Sequence, residues 1–263
     1  MTAHDRVLRR AVLSEWIKLR SVRSTYLTLL CALLMGLVLG WVDTASAAHN
    51  WPTMSAGDRA GFDPVGDCFT GFVIGQLAFG VLGVLAVSSE YRTGSIRTTF
   101  TAVPRRGTVF AAKALVIGAV ALVLGECMAF TAFFLGQRNL AHAHLSVGLG
   151  DPGVLRAVTG AGLYLFVVAM VGFGLGAVIR HTAGAVAGMF GLVYLAYGLA
   201  RAFDNWSYLP DHLVLSNASD VLAQTHIPPD SPRTPSLGMA FLDLALYLAV
   251  ALALGAWRVR RDP

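Results

Sequence analysis

Charge is scarce in this sequence. Asp, Glu, Lys and Arg make up 13% of its 263 residues, about half the share of an average soluble domain. Lysine occurs only twice, as Lys18 and Lys113, preceded by Ile17 and Ala112. Neither has the glycine-rich lead-in of a phosphate-binding loop, so any ATP hydrolysis tied to this chain belongs to another polypeptide. Cysteine is equally thin. Cys31, Cys68 and Cys127 are odd in number and far apart, which excludes a disulfide framework or a zinc pattern and reads as three small buried hydrophobes. His-Glu-x-x-His and Gly-x-Ser are both missing, which removes helical metalloprotease and rhomboid-like serine chemistry. His142 and His144 are two residues apart, a spacing that reads as a solvated loop, with no metal site expected.

Apolar residues fill the gap. They account for 56% of the chain, with 28 Gly against 10 Pro and a mean hydropathy of +0.63. A bilayer crossing needs about 20 mostly apolar residues, and the intervals between charges supply six: approximately 24–42, 68–89, 114–137, 157–179, 182–200 and 237–257. Two are interrupted by one acid each, Glu126 and Asp243. The fourth and fifth are separated only by Arg180 and His181, which predicts a tight helical hairpin. The fold expected is an all-α integral membrane protein, one transmembrane domain over 1–263. Ala45-Ser46-Ala47 is the nearest match to a cleavage site, but the region ahead of the first span is too long for a cleaved leader.

Fifteen of the 20 Lys and Arg residues fall on one side of this topology and five on the other. The positive-inside rule therefore sets both termini in the cytoplasm, and six crossings require them to share a side. The net charge of +5 follows from this arrangement, and no nucleic-acid partner is expected. Glycines recur at Gly36/Gly40, Gly71/Gly75, Gly172/Gly176 and Gly184/Gly188, a spacing that lets helix backbones approach closely.

Two segments on the basic side stand out. Over residues 5–20, Leu8, Val12, Trp16 and Leu19 fall at helical spacing while the basic residues lie largely elsewhere. This predicts an amphipathic helix in the headgroup region, with membrane lipid as its first partner. The second segment, 88–113, holds Gly94 as a break after span two and Pro104 as a stop. A short helix is expected between them over 95–102.

The string Ser14-Glu15-Trp16-Ile17-Lys18-Leu19-Arg20 resembles the start of bacterial ABC transporter permeases of the short six-helix exporter class, the ABC-two family. Glu90-Tyr91-Arg92-Thr93-Gly94-Ser95-Ile96-Arg97-Thr98-Thr99, followed by Pro104-Arg105-Arg106 and Ala112-Lys113, resembles the same family's loop between spans two and three. The resemblance implies a multi-pass subunit of the bacterial plasma membrane with no enzymatic activity of its own. It implies that Glu90, Tyr91, Arg92, Thr93, Gly94, Arg97, Thr98, Pro104, Arg105 and Arg106 couple to a separate ABC ATPase. Glu15, Trp16, Lys18 and Arg20 would form a docking helix for that partner. It further implies a second permease copy or homologue, with ATP and Mg²⁺ on the ATPase and no cofactor on this chain. The transported substrate is not legible.

Glu126 lies near the middle of span three, where a charge costs about 2.5–3.5 kcal/mol on insertion scales. It reads either as a cavity-lining charge for a cation or proton, or as a neutral carboxyl satisfied by a neighbouring helix. Asp243, near one end of span six, reads the second way. The residues 202–236 carry aromatics, leucines and four prolines; a short interfacial helix and a stiff return are expected, capping the exit or lying as a surface loop. Two other classes remain open: a proton- or ion-coupled secondary transporter using Glu126, and a non-transporting membrane assembly subunit.

Overall fold

The computed structural model describes residues 3–21, 23–95, 106–202, 214–225 and 236–261. Helices dominate, and no strand occurs among the described residues. That outcome follows from the apolar runs, because a chain in hydrocarbon must satisfy its backbone within each segment. The helices are α1 (Ala3–Ser21), α2 (Arg23–Asn50), α3 (Ala56–Gly61), α4 (Phe72–Thr93), α5 (Arg106–Ala141) and α6 (Val154–Ile179). They continue as α7 (Thr182–Phe190), a π-helical turn (Gly191–Leu195), α8 (Ala196–Ala202), α9 (Leu215–Ala223) and α10 (Leu237–Arg260). Six segments are long and apolar enough to cross a membrane: Leu29–Thr53, α4, α5, α6, Thr182–Ala200 and α10. This is the architecture of a multi-pass membrane protein.

The centre is α6. Of its most apolar stretch 72% is buried, against 17% in α2 and α10, so α6 is the post around which α4, α5, α9 and α10 pack. Phe79, Phe133, Tyr164, Leu165 and Phe173 fill the interior with almost no exposure. Glycine makes the closest crossing possible. A Cβ on Gly83 of α4 would collide with the Ala169 carbonyl and, at 2.6 Å, with the Phe173 amide on α6. Gly172 meets the Gly80 carbonyl in the same way, and Gly176 meets that of Val84 at 2.8 Å. The glycine pair of α2 serves a second crossing, where a Cβ on Gly36 would lie 2.9 Å from the Gly71 carbonyl oxygen. Gly184 and Gly188 meet only Ile179 and His181 of the adjoining turn, so not every such spacing marks a close crossing of helices.

The predicted hairpin is present. Arg180 adopts a left-handed conformation (φ 61°) to end α6, and His181 accepts a hydrogen bond from the Gly184 amide (3.2 Å) to begin α7. Several boundaries differ from the charge intervals. A 3₁₀ turn over Gly66–Phe69 precedes α4, which starts at Phe72 and runs on to Thr93. Helix α5 starts at Arg106 and includes Lys113. Of the cysteines only Cys68 is buried; Cys31 and Cys127 are exposed on their helices, so two of the three are not core residues. Within 202–236 the structure describes 214–225. There α9 buries Leu215, Ala218, Val221 and Leu222 against α6 and α10, which is core packing, not a surface loop.

Candidate functional site: a buried charge ring

The sequence holds three glutamates and two lysines. Two of the glutamates and both lysines meet at one end of the bundle. Glu15 and Lys18 come from α1, Glu90 from the last turn of α4 and Lys113 from the third turn of α5. Lys113 Nζ donates to Glu15 Oε2 and, at 3.0 Å, to Glu90 Oε1. Lys18 Nζ donates to Glu15 Oε1 at 2.8 Å and to Glu90 Oε1 at 3.0 Å. Signs alternate around a closed ring of four side chains with no formal net charge.

Burial gives the ring its weight. The side chains of Glu15, Lys113 and Glu90 are 6%, 7% and 10% exposed, while that of Lys18 is 38% exposed. Isolated ions would pay several kcal/mol each for this desolvation, so each is held only because oppositely charged partners reach it. Burial depresses the Lys18 ammonium, but hydrogen bonds to Glu15 and Glu90, together with their charges, outweigh it. The net shift is upward from the ordinary 10.5. Glu90 Oε1 accepts from both lysines, and its Oε2 has no hydrogen-bond partner among the described residues.

The ring explains how α1 lies. Its inward face carries Ala11 and Glu15, with Lys18 and Leu19 partly covered. Leu13, Trp16 and Ile17 point outward, Trp16 at 44% exposure. Glu15 turns to the protein because two charged partners reach it there, and Trp16 stays on the outward face. Leu19 joins an apolar layer with Val87, Tyr91, Phe110 and Val259 beside the ring. The Arg180 guanidinium sits 5.0 Å from the Tyr91 ring centre and donates to the Arg258 carbonyl (3.2 Å). Thr182 Oγ1 donates to Ser88 Oγ at 3.0 Å. One end of the molecule thus ties α1, α4, α5, the α6–α7 hairpin and α10 together.

The other expected site residues are distributed as follows. Arg92 is exposed, Thr93 Oγ1 donates to the Ser89 carbonyl (3.0 Å), and Gly94 ends α4 with φ 72°. Arg106 opens α5. Arg97, Thr98, Pro104 and Arg105 lie outside the described residues, with nearly all of the helix expected over 95–102. Arg20 belongs to α1, its side chain likewise outside them. Glu126 is half-buried on α5 against Gly162 of α6, where a Cβ would come within 2.8 Å of both carboxylate oxygens. Its Oε2 has no hydrogen-bond partner among the described residues. Asp243 is buried on α10. No group of three metal-ligating side chains occurs among the described residues.

Glu90, expected in the loop beyond span two, is instead buried within α4. Lys113, not among the expected site residues, bridges both acids. The available signal was scarcity: the sequence keeps two lysines among 20 basic residues, and both are in the ring. No protein-family model matches the chain, and no curated protein is similar enough to match it.

Proposed function

We propose that the chain is the membrane-spanning permease subunit of an ATP-driven exporter in a bacterial plasma membrane, with both termini cytoplasmic. ATP hydrolysis, with its Mg²⁺, belongs to a separate ABC ATPase, and a second permease copy or homologue completes the pathway. The observation that carries this reading is the charge ring. It joins α1 to the two helices that flank 94–105, so a push on either segment is delivered to the same rigid point. Breaking a buried charge network is costly; α1, α4 and α5 therefore move as one lever about α6 instead of yielding separately. The sequence resemblance supports the same assignment, because its two motifs contribute Glu15, Lys18, Glu90 and Lys113.

The test begins with the tagged full chain purified from native membranes in mild detergent. A P-loop ATPase should co-purify in stoichiometric amount, and the reconstituted complex should hydrolyse ATP. Glu90→Gln should leave the ATPase bound while lowering lipid-dependent stimulation of its rate several-fold. Proton-gradient-driven movement of solute by this chain alone, with no nucleotide, would refute the exporter reading. It would favour secondary transport through Glu126, whose unpartnered oxygen is the observation on that side.

A further inference from the structure

At the end of the bundle opposite the ring lies a cavity of about 490 Å³, within the range of small-molecule sites. It is bounded by the 63–72 turn, the first turns of α4, the middle of α6, the π-helical turn with α8, and α9. We infer that this cavity binds an organic cation, an ammonium group on an apolar or aromatic body, with the Asp67 carboxylate as its charge partner.

The sign of the ligand comes from the lining. Asp63, Asp67 and Asp220 contribute to the wall, and among the described residues no Lys, Arg or His does. Asp63 is already engaged, accepting from the Val65 amide (3.0 Å) and from both the amide and hydroxyl of Thr225 (3.0 and 2.9 Å). The Asp67 side chain makes no hydrogen bond or ion pair with any described residue. The charged groups that act on it are Asp43 of α2 and Asp63, both acidic; Asp220 faces the same cavity from α9. The basic side chains described nearby are spent on carbonyls: Arg156 on Val221 and Gln224, Arg59 on Trp51 and Pro52.

The body of the ligand comes from the rest of the wall. Phe69, Phe72 and Val193 are apolar, and Tyr164, Tyr194 and Tyr197 add the aromatic surface that organic cations favour. Tyr164 and Tyr194 are held in place. Tyr164 donates to Gln76 Oε1, Gln76 Nε2 donates to the Tyr194 hydroxyl at 3.2 Å, and Tyr194 donates to the Val73 carbonyl. Val193 and Tyr194 enter the wall from the π-helical turn, a rare element found often at functional sites. The volume, and the lack of three grouped metal-ligating side chains among the described residues, argue against an inorganic ion. Burial first, then repulsion from Asp43 and Asp63, raises the Asp67 carboxyl to about 6. The site is therefore charged at neutral pH and discharged in mild acid.

The experiment uses the purified full chain in detergent, with no ATPase, so its failure leaves the exporter reading standing. Radiolabelled benzyltrimethylammonium, a permanent cation, is followed by equilibrium dialysis. Saturable binding at pH 7.5, displaced by the unlabelled cation and not by neutral benzyl alcohol, is expected. Asp67→Asn should weaken it about tenfold or more, Asp67→Glu should keep it within about threefold, and Asp58→Asn, outside the cavity, should leave it unchanged. In the wild-type chain, verified as folded, lowering the pH to 5 should weaken binding about tenfold as Asp67 takes up its proton. This arm decides the matter even where a variant fails to fold. Absence of saturable binding, equal displacement by the alcohol, or affinity constant from pH 7.5 to 5 would each overturn the assignment.

Discussion

Replacing Lys113 with methionine isolates the energetics of the charge ring. Lys113 is nearly sealed from solvent and bridges both carboxylates, Glu15 and Glu90. Methionine fills the same space without charge, so two buried carboxylates are left facing Lys18 alone, which is 38% exposed. Breaking a buried network by removing one partner costs about 3–5 kcal/mol. Lys18→Met removes the wetter corner and leaves Lys113 bridging both acids, so its cost should be about 1 kcal/mol, the range of exposed pairs. Adding Glu90→Gln to Lys113→Met leaves Glu15 with Lys18, one charge of each sign. That double variant should recover at least about 1–2 kcal/mol relative to the sum of the single changes. Reversible unfolding in mixed micelles, followed by near-ultraviolet circular dichroism, measures all four. The pH dependence has a definite sign. Because the Lys18 pKa is raised in the folded chain, its contribution is complete below about pH 10.5 and is lost as pH rises through the folded value. The gap between wild type and Lys18→Met should therefore close only in that alkaline window. Equal costs for Lys113→Met and Lys18→Met, or strict additivity in the double variant, would refute the ring as a cooperative unit.

Two further outcomes are expected. Asp67→Asn should stabilise the fold at pH 7.5: the carboxyl is raised from 3.8 to about 6, which is roughly 3 kcal/mol of penalty on the charged form, and solvent contact reduces it to about 1–2 kcal/mol. The penalty is present above pH 6, so the gain should vanish as the pH falls from 6 to below 4, measured by the same unfolding assay. Gly83→Ala should cost more than about 3 kcal/mol or abolish the monodisperse fold, because its new methyl meets α6 backbone that cannot retreat; Gly198→Ala, with open space around it, should instead gain about 0.5–1 kcal/mol from helix propensity.

The six crossings were legible because, in a bilayer, charge and span length constrain each other so tightly that counting residues between ionisable side chains nearly suffices. The same rule misplaced the borders wherever a charge is neutralised inside the fold. Helix α5 begins at Arg106 and not near 114, because Lys113 finds two carboxylates and no longer marks the end of a span. Helix α4 absorbs Glu90 for the corresponding reason. Periodicity picked out the apolar stripe of α1 but not Glu15 as its inward residue, since a one-dimensional pattern ranks residues by polarity and cannot show that Glu15 will meet a lysine 98 residues away. What the pattern omits, the choice of cation partly restores. Eighteen of the 20 basic residues are arginine, whose five-donor fork needs a broad set of acceptors. An ammonium is compact and has three donors, so it fits between two carboxylates that approach from different helices. In a chain that otherwise uses arginine, the two lysines mark the positions where a cation must fit between acids inside the protein. Arginine at position 113 should accordingly fail to restore the stability that lysine provides there, although it restores the charge.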